Sequence, residues 1–242
     1  MGCKRTTLGT LYGVGIGPGD PELITLKAVR ILKEVDKVFA ASSSSNEYSI
    51  AKEIVDPHLA QDTPVERLPF PMTRDKAVLV EAWRANGERV VELLREGKDV
   101  AFITLGDPLT YSTFCHLMKQ VKALEPNVEI VTIPGITSYH AAAARLNAPI
   151  AQGERGFYVV SGVNGGGEIR GALERSDTVF VLKAYRKFDS IRKTLDDLGL
   201  TKRAVVIQRL GLDGEGIIKD ISSLDEDEKM PYLSLVVIQN LE

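Results

Sequence analysis

Short apolar runs alternate along the chain with longer stretches in which apolar residues recur every three or four positions. Residues 10–16, 37–41, 99–104 and 128–133 are brief, rich in Val and Ile, and nearly continuous in hydrophobicity. That is the pattern of strands buried on both faces. Between and after them, 21–35, 74–96, 112–125 and 139–146 carry helical spacing. Strands separated by helices call for right-handed crossovers and predict a mainly parallel sheet. A second group follows at 156–160, 177–182, 204–208 and 233–238, with fewer helices, of which 188–198 is the clearest. The chain therefore predicts an α/β fold of two α/β domains. Residues 1–138 carry a mainly parallel sheet and residues 139–242 a mixed one. The stretch 163–171, with three consecutive glycines, predicts a mobile loop.

Composition narrows the class. Of 242 residues, 44% are hydrophobic and 26% charged, as in globular proteins whose core needs no staple. Cys3 and Cys115 lack the CxxC spacing of a zinc site and read as free thiols of a reducing compartment. The opening MGCKRTTLGTLYGVG lacks the apolar run of a signal peptide. No segment approaches the ~20 apolar residues of a membrane span. These features predict a cytoplasmic protein that engages no membrane. A net charge of −3 weighs against nucleic acid as a partner, yet 30 Lys and Arg allow a local basic cleft.

The candidate chemistry begins with Gly13-Val14-Gly15-Ile16-Gly17-Pro18-Gly19-Asp20-Pro21, which follows a strand and opens a helix. Asp20 suits an N-cap and Pro21 the first helical position. A tight turn would satisfy glycine, and so would a loop whose backbone approaches a ligand closely. A dinucleotide fingerprint fails on spacing. Its third glycine would fall on Pro18 or on Asp20, and no acidic residue ends the second strand. A Walker A loop fails for want of GK[ST].

Two further loops stand at strand ends. Leu105-Gly106-Asp107-Pro108 follows 99–104, and Pro134-Gly135-Ile136-Thr137-Ser138 follows 128–133. Asp107-Pro108 alone reads as an N-cap pair, and Thr137 or Ser138 as the cap of the next helix. Open α/β sheets bind ligands at such C-terminal edges. Three glycine-containing loops on one sheet would converge on one crevice.

In order and spacing, GVGIGPGDPELITLKAVRIL, LGDPLTYST and PGITS resemble the tetrapyrrole (corrin and porphyrin) methylases, and the resemblance covers nearly the whole chain. LPFPMTRD, GDPLTYSTF and PGITSYHAAAARLNAPI are most similar to the precorrin-2 or cobalt-factor-2 C20-methyltransferases of cobalamin biosynthesis. The resemblance implies a homodimer of two-domain subunits that binds S-adenosylmethionine in the cleft between the domains and methylates a tetrapyrrole substrate. Carried over by position, Pro18 lies near the cofactor, Leu105, Gly106 and Asp107 cradle its methionine end, and Thr110, Thr137 and Ser138 add contacts. In the second domain Leu182 or Lys183, and Leu210 or Gly211, flank the adenosine.

A sulfonium methyl is already electrophilic, so the reaction needs orientation rather than an activated side chain. No Ser/His/Asp triad or metal-ligand cluster is evident, and the proton acceptor stays unassigned. Tyr139 and His140 are the nearest titratable residues in sequence, with His58 and His116 weaker candidates. Arg67, Arg74, Arg84, Lys183 and Arg186 are candidates for substrate carboxylates, each against a solvated surface role. The charged run 81–95 reads as an exposed helix face. The competing functions are a sibling tetrapyrrole methylase acting at another carbon and a non-enzymatic nucleotide-binding module.

Overall fold

The computed structural model describes residues 8–42, 45–59, 63–154, 156–225 and 228–239. Cys3 lies outside them. The chain divides into two units, Met1–Thr137 and Ser138–Glu242.

In the first unit, β1 (Thr10–Gly15), β2 (Lys37–Ser42), β3 (Val65–Pro69), β4 (Val100–Thr104) and β5 (Glu129–Ile133) form one sheet in the order β3-β2-β4-β1-β5. Every pairing is parallel. The connecting helices are α1 (Leu26–Glu34), α2 (Ser45–Val55), α3 (Lys76–Arg95) and α4 (Phe114–Leu124). From β1 the chain steps through β2 to β3 at one edge, then returns through β4 to β5 at the other. Right-handed crossovers then place α1 and α2 on one face and α3 and α4 on the opposite one. Side chains follow that division. Leu11, Phe39 and Phe102 pack with Val90, Leu94, Phe114 and Leu117 of α3 and α4. The alternate strand residues Val14, Val38, Ala40, Ala101 and Ile103 are also buried, on the other face.

The helix expected over 21–35 is two pieces. Asp20 caps a 3-10 turn, Pro21–Leu23, by accepting the Glu22 N–H at 2.8 Å. Thr25 is extended (φ −75°, ψ 145°) and caps α1 by accepting from Ala28. Strand β3 is absent from the apolar pattern because Glu66 and Arg67 interrupt it. Glu66 pairs with Lys37 of β2 and with Arg89 of α3, each at 2.9 Å. Arg89 first, with Lys37, holds the Glu66 carboxyl down at about 2.

In the second unit, β6 (Gly156–Ser161), β7 (Ser176–Leu182), β8 (Ala204–Gln208), β9 (Gly216–Ile218) and β10 (Ser234–Gln239) run in the order β6-β7-β10-β8-β9. Only β6 and β7 are parallel, so this sheet is mixed. Its helices are α5 (Ser138–Leu146), α6 (Ile169–Leu173) and α7 (Phe188–Asp197). Val179, Val181, Val206 and Val236 pack with Ile169, Phe188, Ile191 and Leu195. Phe180, between two of those valines, meets Tyr139 of α5 on the opposite face.

The loop expected over 163–171 is instead packed structure. A 3-10 turn spans Gly162–Asn164 and α6 begins at Ile169, which is fully buried. A Cβ on Gly165 or Gly166 would lie 2.3 Å from the hydroxyl of Ser190 or Thr194 on α7. The Gly166 N–H donates to Ser190 Oγ at 3.3 Å. These glycines serve close approach to α7, not mobility.

Candidate functional site

Strands β4, β1 and β5 are neighbours, so the loops that follow them leave one edge of the sheet side by side. Strand β1 leads to α1 and β4 to α4, on opposite faces. A crevice forms where adjacent strands send their connections to opposite faces, and ligands bind there in open α/β sheets.

The three loops touch through their backbones. The Gly106 N–H donates to the Gly17 carbonyl at 2.7 Å, closing an isolated antiparallel bridge. A Cβ on Gly15 would fall 2.6 Å from both Gly106 O and Gly135 N. One on Gly135 would fall 2.1 Å from Gly106 O. Gly13 is excluded from growth differently, because the Phe114 ring would lie 2.2 Å from its Cβ.

Asp107 fastens the second loop to the third. Its Oδ1 accepts the Leu109 N–H at 2.9 Å and the Thr110 hydroxyl at 3.4 Å. Its Oδ2 accepts the Gly135 N–H at 3.2 Å. The N-cap alternative is therefore corrected: Asp107 caps a turn, and α4 begins only at Phe114. Gly106 differs from its glycine neighbours. It is left-handed (φ +68°) like Gly17 (φ +83°), but a Cβ there would meet nothing nearer than Thr137 Cα at 3.9 Å. The space over this backbone is a cradle that any side chain would begin to fill. Pro18 and Thr137 are buried, while Leu105, Asp107 and Thr110 are half-buried around it. Backbone groups facing open space beside partly buried hydroxyls fit a zwitterionic amino-acid moiety and its sulfonium, and this is the chemistry S-adenosylmethionine presents.

In the second unit, β7 and β8 both run antiparallel to β10, with Val181 and Val206 each opposite Val236. Their C-terminal ends are thus level, two strand spacings or about 10 Å apart. Both exits use the left-handed region: Lys183 at φ 57°, Arg209 at φ 49° and Gly211 at φ 72°. Non-glycine residues pay about 1–2 kcal/mol for it, and such strain gathers at functional sites. Leu182 is half-buried and Leu210 is 6% exposed, so Leu210 belongs to the packed side of its turn. Ser138 opens α5.

The other candidates separate cleanly. His58 donates through Nε2 to the Pro21 carbonyl at 3.0 Å, anchoring the exit of the first loop. His116 stacks on Trp83 with centroids 4.0 Å apart, and burial, with Lys119, lowers its pKa. Tyr139 packs among His140, Phe157 and Phe180, and His140 is exposed. Arg84 is removed from the substrate candidates, because Glu81 and Glu88 pair with it at 2.8 and 3.0 Å on an exposed helix face. Arg67 and Arg74 are exposed on β3 and on the loop after it. The Arg186 Nε donates to the Tyr185 hydroxyl at 3.0 Å, and Lys183 is exposed. No motif in the sequence marks Glu215, whose carboxylate accepts the Gly211 N–H at 2.8 Å. Among the described residues no group of three His, Cys, Asp or Glu side chains is arranged to hold a metal ion. None of their helices is long and apolar enough to cross a membrane.

The chain is similar to known proteins along most of its length. The family model described as Tetrapyrrole (Corrin/Porphyrin) Methylases matches residues 10–225. A Methanocaldococcus jannaschii protein named "Probable cobalt-precorrin-2 C(20)-methyltransferase" is 36% identical over 236 residues, 96% of each chain. The cobalt-precorrin-2 C(20)-methyltransferase of Salmonella typhimurium is 34% identical, covering 95% of this chain and 96% of that one. The crystal structure of uroporphyrin-III C-methyl transferase from Thermus thermophilus, complexed with S-adenyl homocysteine, shares the fold. Its TM-score is 0.69 at 24% identity, over 96% of this chain and 97% of that one. The family match covers the whole first sheet, four of the five strands of the second and all three glycine loops, and on it the chain belongs to the tetrapyrrole (corrin/porphyrin) methylases.

Proposed function

We propose that this protein is an S-adenosylmethionine-dependent C-methyltransferase that adds one methyl group to C20 of precorrin-2 or its cobalt complex, on the route to cobalamin. The observation that carries the reading is the loop constellation at β4-β1-β5, in a chain 34–36% identical end to end to proteins named for that reaction.

S-adenosylmethionine supplies an already electrophilic methyl group when bound. The task left to the chain is to bind and orient. Leu105, Gly106 and Asp107 present backbone groups to the methionine end, with Pro18 beside them and Thr110, Thr137 and Ser138 contributing polar contacts. Leu182 or Lys183, and Leu210 or Gly211, flank the adenosine. The Asp107 carboxylate keeps the second and third loops in register, so the reacting geometry is set before substrate arrives. Such pre-organisation supplies about 7–11 kcal/mol in favourable cases. Arg67, Arg74, Lys183 and Arg186 are the cations for substrate carboxylates, which guanidinium meets in bidentate fashion. The enzyme works as a homodimer in the cytoplasm, and light scattering on the purified protein tests the dimer.

The decisive experiment supplies carbon-13-labelled methyl donor with precorrin-2 and, separately, with its cobalt complex, without oxygen. NMR of the product locates the label. One label at C20 is expected. A label on a pyrrole ring carbon rejects the C20 assignment and leaves a methylase. No transfer to either macrocycle, with cofactor binding verified, rejects both.

A further inference from the structure

The turn after β8 is held by a side chain that no motif marks. Arg209 enters it left-handed, donating its N–H to the Leu233 carbonyl at 3.1 Å and its Nε to the Asp213 carbonyl at 2.7 Å. The Leu212 N–H returns to Arg209 O at 2.9 Å, and the Glu215 N–H to Leu212 O at 3.0 Å. Gly211 and Gly214 are left-handed as well. The Gly211 N–H points away from these bonds, and Glu215 Oε2 takes it at 2.8 Å. The other carboxylate oxygen accepts from Arg145 Nε at 2.6 Å. Arg145 sits in the last turn of α5, seven residues or about 10 Å of helix from Ser138. One carboxylate thus fastens the Gly211 turn to the helix that carries Ser138.

We infer that Glu215 is a positioning residue for cofactor binding, holding the Gly211 turn and α5 at the spacing one S-adenosylmethionine molecule requires. This rests on the reading above that Ser138 and one of Leu210 and Gly211 face that molecule, taken here as Gly211 because Leu210 is turned into the packing. A carboxylate suits the task because both of its partners are donors. The Gly211 N–H, then Arg145, hold its carboxyl below the usual carboxylate range, so both oxygens stay acceptors at neutral pH. Glu215 is 20% exposed against 57% for Arg145. The ion pair alone therefore adds little to stability. What its loss changes is the order of the turn, which ligand binding must then restore.

The test is titration calorimetry of S-adenosylhomocysteine into the full-length protein, with ligand-free thermal unfolding measured beside it. The variants are Glu215→Ala, Glu215→Gln, Arg145→Met and the double Glu215→Gln/Arg145→Met. Glu215→Ala should weaken binding about 10- to 100-fold, the range for a lost hydrogen bond to a charged group, with ligand-free Tm lowered by only a few degrees. Glu215→Gln should resemble it, since one donor must then face the amide NH2. Removing Arg145 as well frees the Gln carbonyl to turn to Gly211, and affinity should return to within about threefold of wild type. Unchanged affinity in folded Glu215→Ala, a lowered Tm as the sole effect, or no rescue in the double variant overturns the inference. If Glu215→Ala does not fold, the Gln pair decides. A wild-type protein that binds no S-adenosylhomocysteine overturns the functional reading itself, a separate and earlier result.

Discussion

Gly135→Ala asks whether the three loops act as one body. The new Cβ would lie 2.1 Å from the Gly106 carbonyl oxygen and 2.8 Å from Gly15 backbone atoms, where ordinary contact starts at 3.4 Å. The obstructing atoms are main chain, so no rotamer change relieves them. The third loop must withdraw from the second by roughly 1 Å, the shortfall from ordinary contact. That movement carries the Gly135 N–H, already 3.2 Å from Asp107 Oδ2, beyond hydrogen-bond reach. Overpacking of this kind costs about 1–3 kcal/mol, a fall of several degrees in Tm for a unit of this size. The effect on activity should exceed the effect on stability, because a misplacement of ~1 Å costs about 100-fold in rate. Differential scanning fluorimetry reports the fold, calorimetry with S-adenosylhomocysteine the affinity, and initial rates of methyl transfer the geometry. A folded Gly135→Ala protein with wild-type affinity and wild-type rate would refute the idea that the loops are one unit.

Gly106→Ala should lose cofactor affinity tenfold or more, as its methyl enters the cradle, whereas Gly153→Ala, with a similar φ of +70° and open space around it, should lose only about 1–2 kcal/mol of stability; calorimetry and urea melts on both separate ligand contact from backbone strain. Asp107→Asn keeps an acceptor for Leu109 and Thr110 but turns an NH2 on the Gly135 N–H, so it should lower stability by about 1–3 kcal/mol and weaken S-adenosylhomocysteine binding, read by the same two measurements. Glu66, held at about 2 against an ordinary 4.5, contributes stability that is full above pH 4.5 and is lost as pH falls toward 2; with Arg89 37% exposed the amount is about 1 kcal/mol, and Glu66→Gln should flatten that limb of a urea-midpoint profile.

The strands that were legible in the sequence are those with unbroken apolar runs: β4 and β10 are buried almost throughout, while the half-buried β5 and the largely exposed edge strand β6 keep IVTI and FYVV. Strand β3 was not, because VERLP places two charges in five residues at a sheet edge. Those charges have structural work: Glu66 ties β2, β3 and α3 together through Lys37 and Arg89. The glycines of 163–171 misled in the opposite direction. Glycine in a polar stretch reads as freedom, but Gly165 and Gly166 lie against Ser190 and Thr194, where any side chain would collide. In the site, the loops were legible because glycine recurred at the ends of three predicted strands. The work of Asp107 was not, since an Asp-Pro pair that caps a turn is spelled like one that caps a helix. Glu215 was further from reach. Its partners lie four residues back on the main chain and seventy residues away on a helix, and only the topology brings Arg145 to it.

The spacing of the first loop carries its own physical reason. A phosphate-binding fingerprint places its glycines where a tight turn and a helix N-terminus meet a pyrophosphate. Here Gly13, Gly15 and Gly17 recur at every second residue, the period of an extended strand. Gly13 and Gly15 therefore face the same side of β1, the side of α3 and α4. Gly13 clears the Phe114 ring at the start of α4, and Gly15 clears the backbones of the second and third loops. Gly17, turned to φ +83°, takes the chain out of the strand and accepts the Gly106 N–H at its carbonyl, and Gly19 keeps the spacing beyond it. The pattern is that of a strand surface against which other main chains must lie directly. Such a pattern suits a reaction whose reactive group arrives on the cofactor, where rigid placement is what the protein has left to supply. A loop cluster of this kind is built from absent side chains, so glycine spacing marks its loops in the sequence and no cluster of titratable groups does.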